Sequence, residues 1–273
     1  MAAEYLAACG DDPSNVYITE RVGHARDLAQ AAIRRGVSTI VAWGGDGTMN
    51  EVGSAAAFTS TAVAIIPSGS GNGLARELGI PFDPPAALDI ALNGQDCVID
   101  AGEIDGRLFF NVAGIGLDAR VAHRFAINGL EERGFSRYVK ITLRELFRYV
   151  PDELTIATAT STTTTSALLV AIANGRQYGN GALVAPNARL DDGLLDVVVV
   201  EQRPPFVACL QLPLVFAGKI EQLGGVTMEA TELVTISSPH PVVYHLDGEP
   251  IAGTLTIEAR ARPGALTIKV PWN

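Results

Sequence analysis

Four short strings in this chain hold residue types that do chemistry when they cluster. The first is Gly44-Gly45-Asp46-Gly47-Thr48-Met49-Asn50-Glu51, which follows a strand-like run and precedes a helical one. Glycines at the C-terminal end of a parallel strand let backbone N–H groups close on a phosphate, and the dipole of the next helix reinforces them. No Lys follows the glycines, which excludes a Walker A loop. Asp46 is a carboxylate among anion-binding amides and makes sense where a divalent cation bridges it to phosphates. A strand-to-helix turn capped by Asp46 is the plainer alternative. A second loop of the same kind is Pro67-Ser68-Gly69-Ser70-Gly71-Asn72-Gly73. Neighbouring parallel strands set both loops along one sheet edge, where Ser70 and Asn72 can reach a nucleotide held by the first.

The other two strings are acidic. Residues 187–196, NARLDDGLLD, place Asp191, Asp192 and Asp196 in a Gly-containing turn ahead of a strongly β run. Adjacent carboxylates repel unless they are solvated or share a cation, and turn carbonyls are hard oxygen ligands that Mg²⁺ accepts. A surface Asx turn is the alternative. Leu246-Asp247-Gly248-Glu249-Pro250 also follows a strand. Phosphoryl transfer to an alcohol needs a base within hydrogen-bond reach of the hydroxyl, and a Glu on an inter-strand turn can supply it; an ordinary hairpin turn is again the alternative. His24, His123, His240 and His245 share no metal-like spacing and read as surface or packing residues, with His245 bordering the last string.

These strings need elements to position them. Residues 15–19, 39–43 and 62–67 read as strands, and residues 25–35, 49–57 and 72–78 as helices, the last stopped by Gly79 and Pro81. Alternating strands and helices with strands apolar throughout predict an α/β domain with a parallel sheet covered on both faces. After about residue 95 the pattern turns to short antiparallel-type strands at 97–104, 107–112, 154–159, 167–174, 194–201, 233–237, 242–246, 254–259 and 265–270. One helical insert, residues 137–149, interrupts them, so the expected division is residues 1–96, α/β, and 97–273, all-β sandwich. The Thr/Ser run 158–166 is expected to be a hairpin turn.

Composition narrows the function classes. At 273 residues and 48% hydrophobic, the chain buries a substantial core, and disorder is excluded. A net charge of -10 disfavours nucleic acid and anionic bilayers on average, although a local basic patch can override that average. The most apolar stretch, residues 206–217, is cut by Gln211 and Pro213 and is too short to span a membrane. Cys9, Cys97 and Cys209 have neither metal-ligand spacing nor the density of a disulfide scaffold, which fits inert thiols in a reducing cytosol. The N-terminus lacks the marks of a signal peptide.

GGDGTMNEV, PSGSGNGLARELGIP, ANGRQYGNGALVAPNARLDDGLLDVVVV and LDGEP, in this order and spacing, resemble the diacylglycerol kinase catalytic-domain family, which includes bacterial lipid kinases and sphingosine kinases. The similarity runs over residues 16–270. It implies a nucleotide-binding α/β domain, of the NAD kinase and diacylglycerol kinase type, and a β-sandwich lipid domain with the active cleft between them. It also implies transfer of the γ-phosphate of ATP to the hydroxyl of diacylglycerol, a sphingoid base or a related lipid. On that resemblance Gly44, Gly45, Asp46, Gly47, Thr48, Met49 and Asn50 cradle ATP, Ser70 and Asn72 serve its phosphates, and Thr19 lies at the nucleotide site. Mg²⁺ is bound by Asp192 with the carbonyl oxygens of Arg189 and Leu194, beside Asp191. Glu249 is the catalytic base, working with Asp46 and supported by Asp247 through the metal and water network. Tyr178 and Asn180 either line the cleft or serve the structure of their turn.

The implied partner is a membrane lipid met through peripheral contact, by a cytoplasmic protein at the inner membrane face, without nucleic acid. Two departures from the family pattern stand out. The chain opens inside what should be the helix after a first strand, at residues 2–9, so one strand is expected to be absent and its neighbours' edges exposed. Gly73 stands where many bacterial diacylglycerol kinases have Asp, closer to the sphingosine-kinase style of loop. An NAD kinase and a non-catalytic nucleotide- or lipid-binding remnant remain as alternatives, the second opposed by intact Asp46, Asp192 and Glu249. Neither the lipid nor the oligomeric state is legible.

Overall fold

The computed structural model describes residues 15–127, 135–179 and 181–272. The first half alternates as expected: α1 (His24–Arg34), β1 (Thr39–Gly44), α2 (Asp46–Ala56), β2 (Ala62–Pro67), α3 (Gly73–Glu77) and α4 (Pro84–Asn93). β1 and β2 pair in parallel from Thr39↔Ala62 to Gly44↔Pro67. All six residues of β2 are buried, as an inner strand covered on both faces requires. β1 is paired on one side only among the described residues, and Val41 is exposed on it. Because Gly44 and Pro67 are ladder partners, the loops that leave them start at the same level of the sheet.

The second half runs β3 (Gln95–Ile104), β4 (Arg107–Phe109), β5 (Val112–Gly116), α5 (Leu117–Ile127), α6 (Phe135–Leu146), β6 (Glu153–Ala157), β7 (Thr162–Ala173), β8 (Gln177–Gly179), β9 (Ala182–Leu183), β10 (Leu195–Glu201), α7 (Pro205–Phe216), β11 (Val226–Thr231), β12 (Leu233–Ser237), β13 (Val243–Leu246), β14 (Glu249–Ala252) and β15 (Thr256–Val270). Antiparallel pairs β5–β7, β7–β10, β10–β11 and β5–β13 form one layer, and β6–β12–β15 the other. Phe109, Ile172, Leu195, Ile236, Tyr244 and Ile257 fill the core between them. The α/β-plus-sandwich expectation holds.

Two long strands join the halves. β15 pairs with β12 through Leu233↔Arg260 to Ser237↔Thr256, then bulges between Arg262 and Leu266, then places Ile268 beside Val63 of β2. β3 accompanies it along both stretches, so the expected division between residues 96 and 97 falls inside a shared strand. The breaks read at residues 260–264 are this bulge, where Pro263 and Gly264 (φ 61°) interrupt the ladder without ending the strand.

Other elements differ from expectation for local reasons. Residues 15–19 have strand-like composition but are exposed and irregular, because a strand exists only where a neighbouring ladder takes up its backbone groups. The Thr/Ser turn is shorter than expected: residues 162–166 open β7 and pair with β6, since Thr fits a pleated surface. The helical insert comprises α5 as well as α6, and α7 adds a further helix. The expected helix at residues 2–9 lies outside the described residues.

Candidate active site

The two glycine loops touch. Ser68 N–H donates to the Gly44 carbonyl (2.9 Å), and a Cβ on Gly69 would stand 2.5 Å from the Gly45 Cα, so that contact requires glycine. Asp46 is the first residue of α2, and its two carboxylate oxygens accept the N–H groups of Asn72 and Gly73 from the other loop, each at 2.8 Å. Asn72 is buried in the left-handed region (φ 52°); its Oδ1 accepts the Gly69 N–H (2.9 Å) and its Nδ2 donates to the Gly69 carbonyl (2.6 Å). Asp46 and Asn72 thus lock one loop to the other.

The remaining residues of the first loop divide by direction. Thr48 folds back against Gly44, and Met49 is in the core. Asn50 Nδ2 donates to the Leu108 carbonyl and to Asp247 Oδ2, both at 2.9 Å, which ties α2 to the second half. Ser70 is exposed at the tip of the second loop. Thr19 lies on the exposed segment before α1, and among the described residues no hydrogen bond joins it to the glycine loops. Glu51, not anticipated from sequence, caps α1 by accepting the N–H groups of Gly23 (2.6 Å) and Ala25 (3.0 Å).

Facing the first loop, β13 and β14 are joined by Asp247 (φ 47°) and Gly248 (φ 90°), a two-residue turn with both central residues left-handed. The Asp247 carboxylate accepts four donors: Asn50 Nδ2 and Phe110 N at 2.9 Å, Asn111 N at 3.0 Å and Val112 N at 3.1 Å. Burial raises its pKa above the ordinary carboxylate value, against the pull of those donors. Glu249 is exposed and its carboxylate makes no hydrogen bond among the described residues. Its carboxylate stands over the first loop, where a Cβ on Gly47 would lie 2.9 Å from Oε1. The carboxylates of Asp46, Asp247 and Glu249 therefore lie beside the first glycine loop. The pKa of Asp46 is raised by burial and then by the charge of Asp247, an imbalance that a bound cation would relieve.

A buried network braces the turn from behind. His245 Nδ1 accepts the Gly248 N–H (3.2 Å), which leaves Nε2 to carry the ring proton toward Asp118 Oδ2 at 3.0 Å. Tyr178 Oη lies 2.9 Å from the same nitrogen. These atoms converge on Gly114, where a Cβ would sit 1.7 Å from Asp118 Oδ2. Burial raises the pKa of Asp118 in spite of His245. Asp118 escaped the sequence reading because only the fold brings it to His245. Asn180 lies outside the described residues.

The second acidic turn is built differently. Asp192 is exposed and its Oδ1 accepts the Leu194 N–H (3.0 Å), while Asp191 pairs with Arg189 (3.1 Å). The turn is held by Asp100 of β3, which accepts the N–H groups of Gly193 and Gly264, both at 2.7 Å. Among the described residues no cluster of three or more His, Cys, Asp or Glu side chains is poised to hold a metal ion. One carboxylate and turn carbonyls are nonetheless a hard-oxygen donor set, which suits Mg²⁺ because that ion keeps several waters. Burial and the neighbouring Asp192 raise the pKa of Asp196, so negative charge is concentrated at this turn.

Comparisons with known proteins bear on both halves. A family model described as the diacylglycerol kinase catalytic domain matches residues 3–104, and one described as the YegS C-terminal NAD kinase beta sandwich-like domain matches residues 111–270. A protein of Pseudomonas aeruginosa named "Probable lipid kinase YegS-like" is 32% identical over 258 residues, covering 94% of this chain and 84% of the relative. One of Escherichia coli O9:H4 named "Probable lipid kinase YegS" is 30% identical over 265 residues, covering 94% and 86%. Among solved structures, a diacylglycerol kinase from Bacillus anthracis superposes with a TM-score of 0.72 at 21% identity, over 97% of this chain and 87% of that one. An NAD kinase from Archaeoglobus fulgidus in complex with ATP superposes with a TM-score of 0.51 at 9% identity, over 97% and 86%. These two likenesses are of fold alone.

Proposed function

Because the chain belongs to the family of YegS-like lipid kinases that join a diacylglycerol kinase catalytic domain to a β-sandwich, we propose that it transfers the γ-phosphate of ATP to a lipid hydroxyl in the cleft between Gly47 and Glu249. Residues 1–96 supply the nucleotide side and residues 97–273 the acceptor side. The observation that carries the reading is a free, exposed carboxylate on a rigid turn: Glu249 reaches over the first glycine loop while Asp247 is pinned by four donors. A base must be near the hydroxyl it deprotonates and must not be spent on structure. Glu249 is not spent on structure, and its place over Gly47 supports a role beside the transferred phosphate.

In this reading the backbone of Gly44, Gly45 and Gly47 and the Ser70 hydroxyl orient the phosphates, and Thr19 stands at the nucleotide edge. Thr48, Met49 and Asn50 act by shaping α2, and Asn72 by holding Gly69. Glu249 accepts the hydroxyl proton at its carboxylate. Asp247, held by Asn50 and three backbone N–H groups, keeps the turn in place. Mg²⁺ bound beside Asp46, and at Asp192 with the carbonyls of Arg189 and Leu194, would neutralise phosphate charge and stiffen the second turn. Asp191, paired with Arg189, flanks that site. No helix of the described residues is long and apolar enough to cross a membrane, and a lipid acceptor is reached by peripheral contact, at the inner face for a cytoplasmic protein.

The deciding experiment incubates the protein with ATP and Mg²⁺ and a panel of diacylglycerol, sphingoid base, monoacylglycerol and phosphatidylglycerol in detergent micelles, with NAD as a further acceptor. Phosphorylation of one lipid class, abolished in Glu249→Gln, is expected. Phosphorylation of NAD instead would make this an NAD kinase, and no ATP turnover with any acceptor would leave a binding remnant.

A further inference from the structure

We propose that α7 and the outward side of α6 form the surface by which this protein docks on an anionic phospholipid bilayer, an inference that rests on the lipid-kinase reading. α7, PFVACLQLPLVF, carries no charged residue, and none of its residues is buried. Phe206 and Leu210 are 64% and 77% exposed, and with Pro213 and Ala217 they recur at helical spacing on the outward face, flanked by exposed Leu212 and Phe216. A solvated helix turns its polar residues outward. Here Ala208 and Cys209 pack against the Leu117, Val121 and Leu146 cluster and Leu214 and Val215 against the cluster around Val112 and Val198, while Phe206, Leu210, Leu212 and Phe216 face out.

α6 borders the same cluster through Ile141 and Leu146, so the two helices share one apolar support. Exposed Leu143, Phe147 (65%) and Val150 (81%) alternate there with exposed Lys140, Arg144 and Arg148. None of those three cations forms an ion pair among the described residues. The chain's net charge is -10, yet the only acid in residues 135–150 is Glu145, which is buried, and residues 203–219 contain Arg203 and Lys219 and no acid.

Apolar side chains interleaved with cations match an interface of acyl chains and anionic headgroups. A second copy of this chain is the poorer occupant, because a two-fold interface would set the Lys140, Arg144 and Arg148 patch against itself. At 12 residues α7 is about 18 Å long, too short to cross a bilayer and suited to lying in its surface. The surface also connects to the candidate site through one hairpin. Gly218, just after α7, packs on Leu183 of β9, and the β8–β9 hairpin carries Tyr178 to His245 and Gly179 to Gly71. A bilayer held at α7 therefore presents its lipids beside the hairpin that touches His245 and the second glycine loop.

The test is co-sedimentation of the full chain with vesicles of phosphatidylcholine alone or mixed with phosphatidylglycerol, together with phosphorylation rates on lipid in vesicles and in detergent micelles. The wild type should bind the mixed vesicles. Phe206→Ser with Leu210→Ser should lower partitioning at least ~10-fold in either vesicle, and Arg144→Gln with Arg148→Gln only in the anionic one, about fivefold for each cation removed. All four side chains are exposed, so the melting temperature and the micellar rate should stay at the wild-type value while the vesicle rate falls. Wild-type vesicle binding by both variants overturns the proposal. So does a wild-type dimer that the Phe206/Leu210 variant dissociates without loss of vesicle binding. Loss of binding in the variants with no lipid phosphorylated in micelles leaves the docking surface standing and removes the kinase reading.

Discussion

The two acidic turns, Asp247-Gly248-Glu249 and Asp191-Asp192-Gly193, use the same letters in opposite ways. In the first an acid inside the turn is the anchor, and its four donors come from three neighbouring residues of the chain and from Asn50. That arrangement frees the second acid, Glu249, and fixes where it points. In the second turn the anchor is Asp100, from a different strand, and the turn's own acids stay exposed. A carboxylate's role follows from which donors reach it, and a turn with an internal anchor presents one reactive group while a turn anchored from outside presents several.

The largest effect should fall on Glu249. Glu249→Gln keeps size and hydrogen bonding and should cut turnover by ~10² to 10⁴-fold, with nucleotide affinity and melting temperature unchanged. Wild-type turnover in this variant would erase the contrast between anchor and base. Asp247→Ala should instead unfold the comparison from the structural side, costing about 3–5 kcal/mol in urea denaturation because four donors lose their acceptor. Asp100→Ala leaves two backbone N–H groups unpaired and should cost about 2–4 kcal/mol by the same measurement. Stability equal to the wild type would show that the second turn needs no external anchor.

Asp192→Ala should change stability by less than about 0.5 kcal/mol, since the side chain is exposed, yet raise the Mg²⁺ concentration needed for half-maximal rate. An unaltered Mg²⁺ titration would reduce that turn to a surface feature. The smallest effect is alkaline. Tyr244, on the strand that leads into the first turn, has its phenol pushed up to about 12 by burial and by Asp105, and Tyr149 is pushed up to about 12 by burial and Asp118. The unfolded chain ionises from about pH 10, so stability is full below that value and falls as pH rises toward 12. Tyr244→Phe should flatten part of that fall, and equal slopes in the two proteins would contradict the assignment.

What was legible from sequence is local. Glycines at two strand ends, and Asp-Gly at a hairpin, announce a backbone shape within a few residues, and both loops and the first turn formed where the strings lay. The anchors were not legible, because each reaches across the chain: Glu51 to Gly23, Asp100 to Gly193 and Gly264, Asp118 to His245. The bonds of Asn72 were not legible either, since its left-handed backbone turns the amide onto Gly69. α7 was invisible to periodicity because it is apolar on every side, and β15 read as two strands because Pro263 and Gly264 look like a stop.

The shared last strand has a consequence for synthesis. Ile268 sits between Val63 of β2 and Cys97 of β3, so the sheet that carries both glycine loops is completed only after the sandwich strands between them have been translated. Chains emerge from the ribosome N-terminus first, and β2, buried at all six positions in the finished molecule, must wait with an open apolar edge while the whole sandwich is made. The nascent chain is therefore a natural client for chaperones. A chain that stopped before Ile268 would keep the Asp247–Glu249 turn yet leave the sheet that carries the glycine loops unfinished.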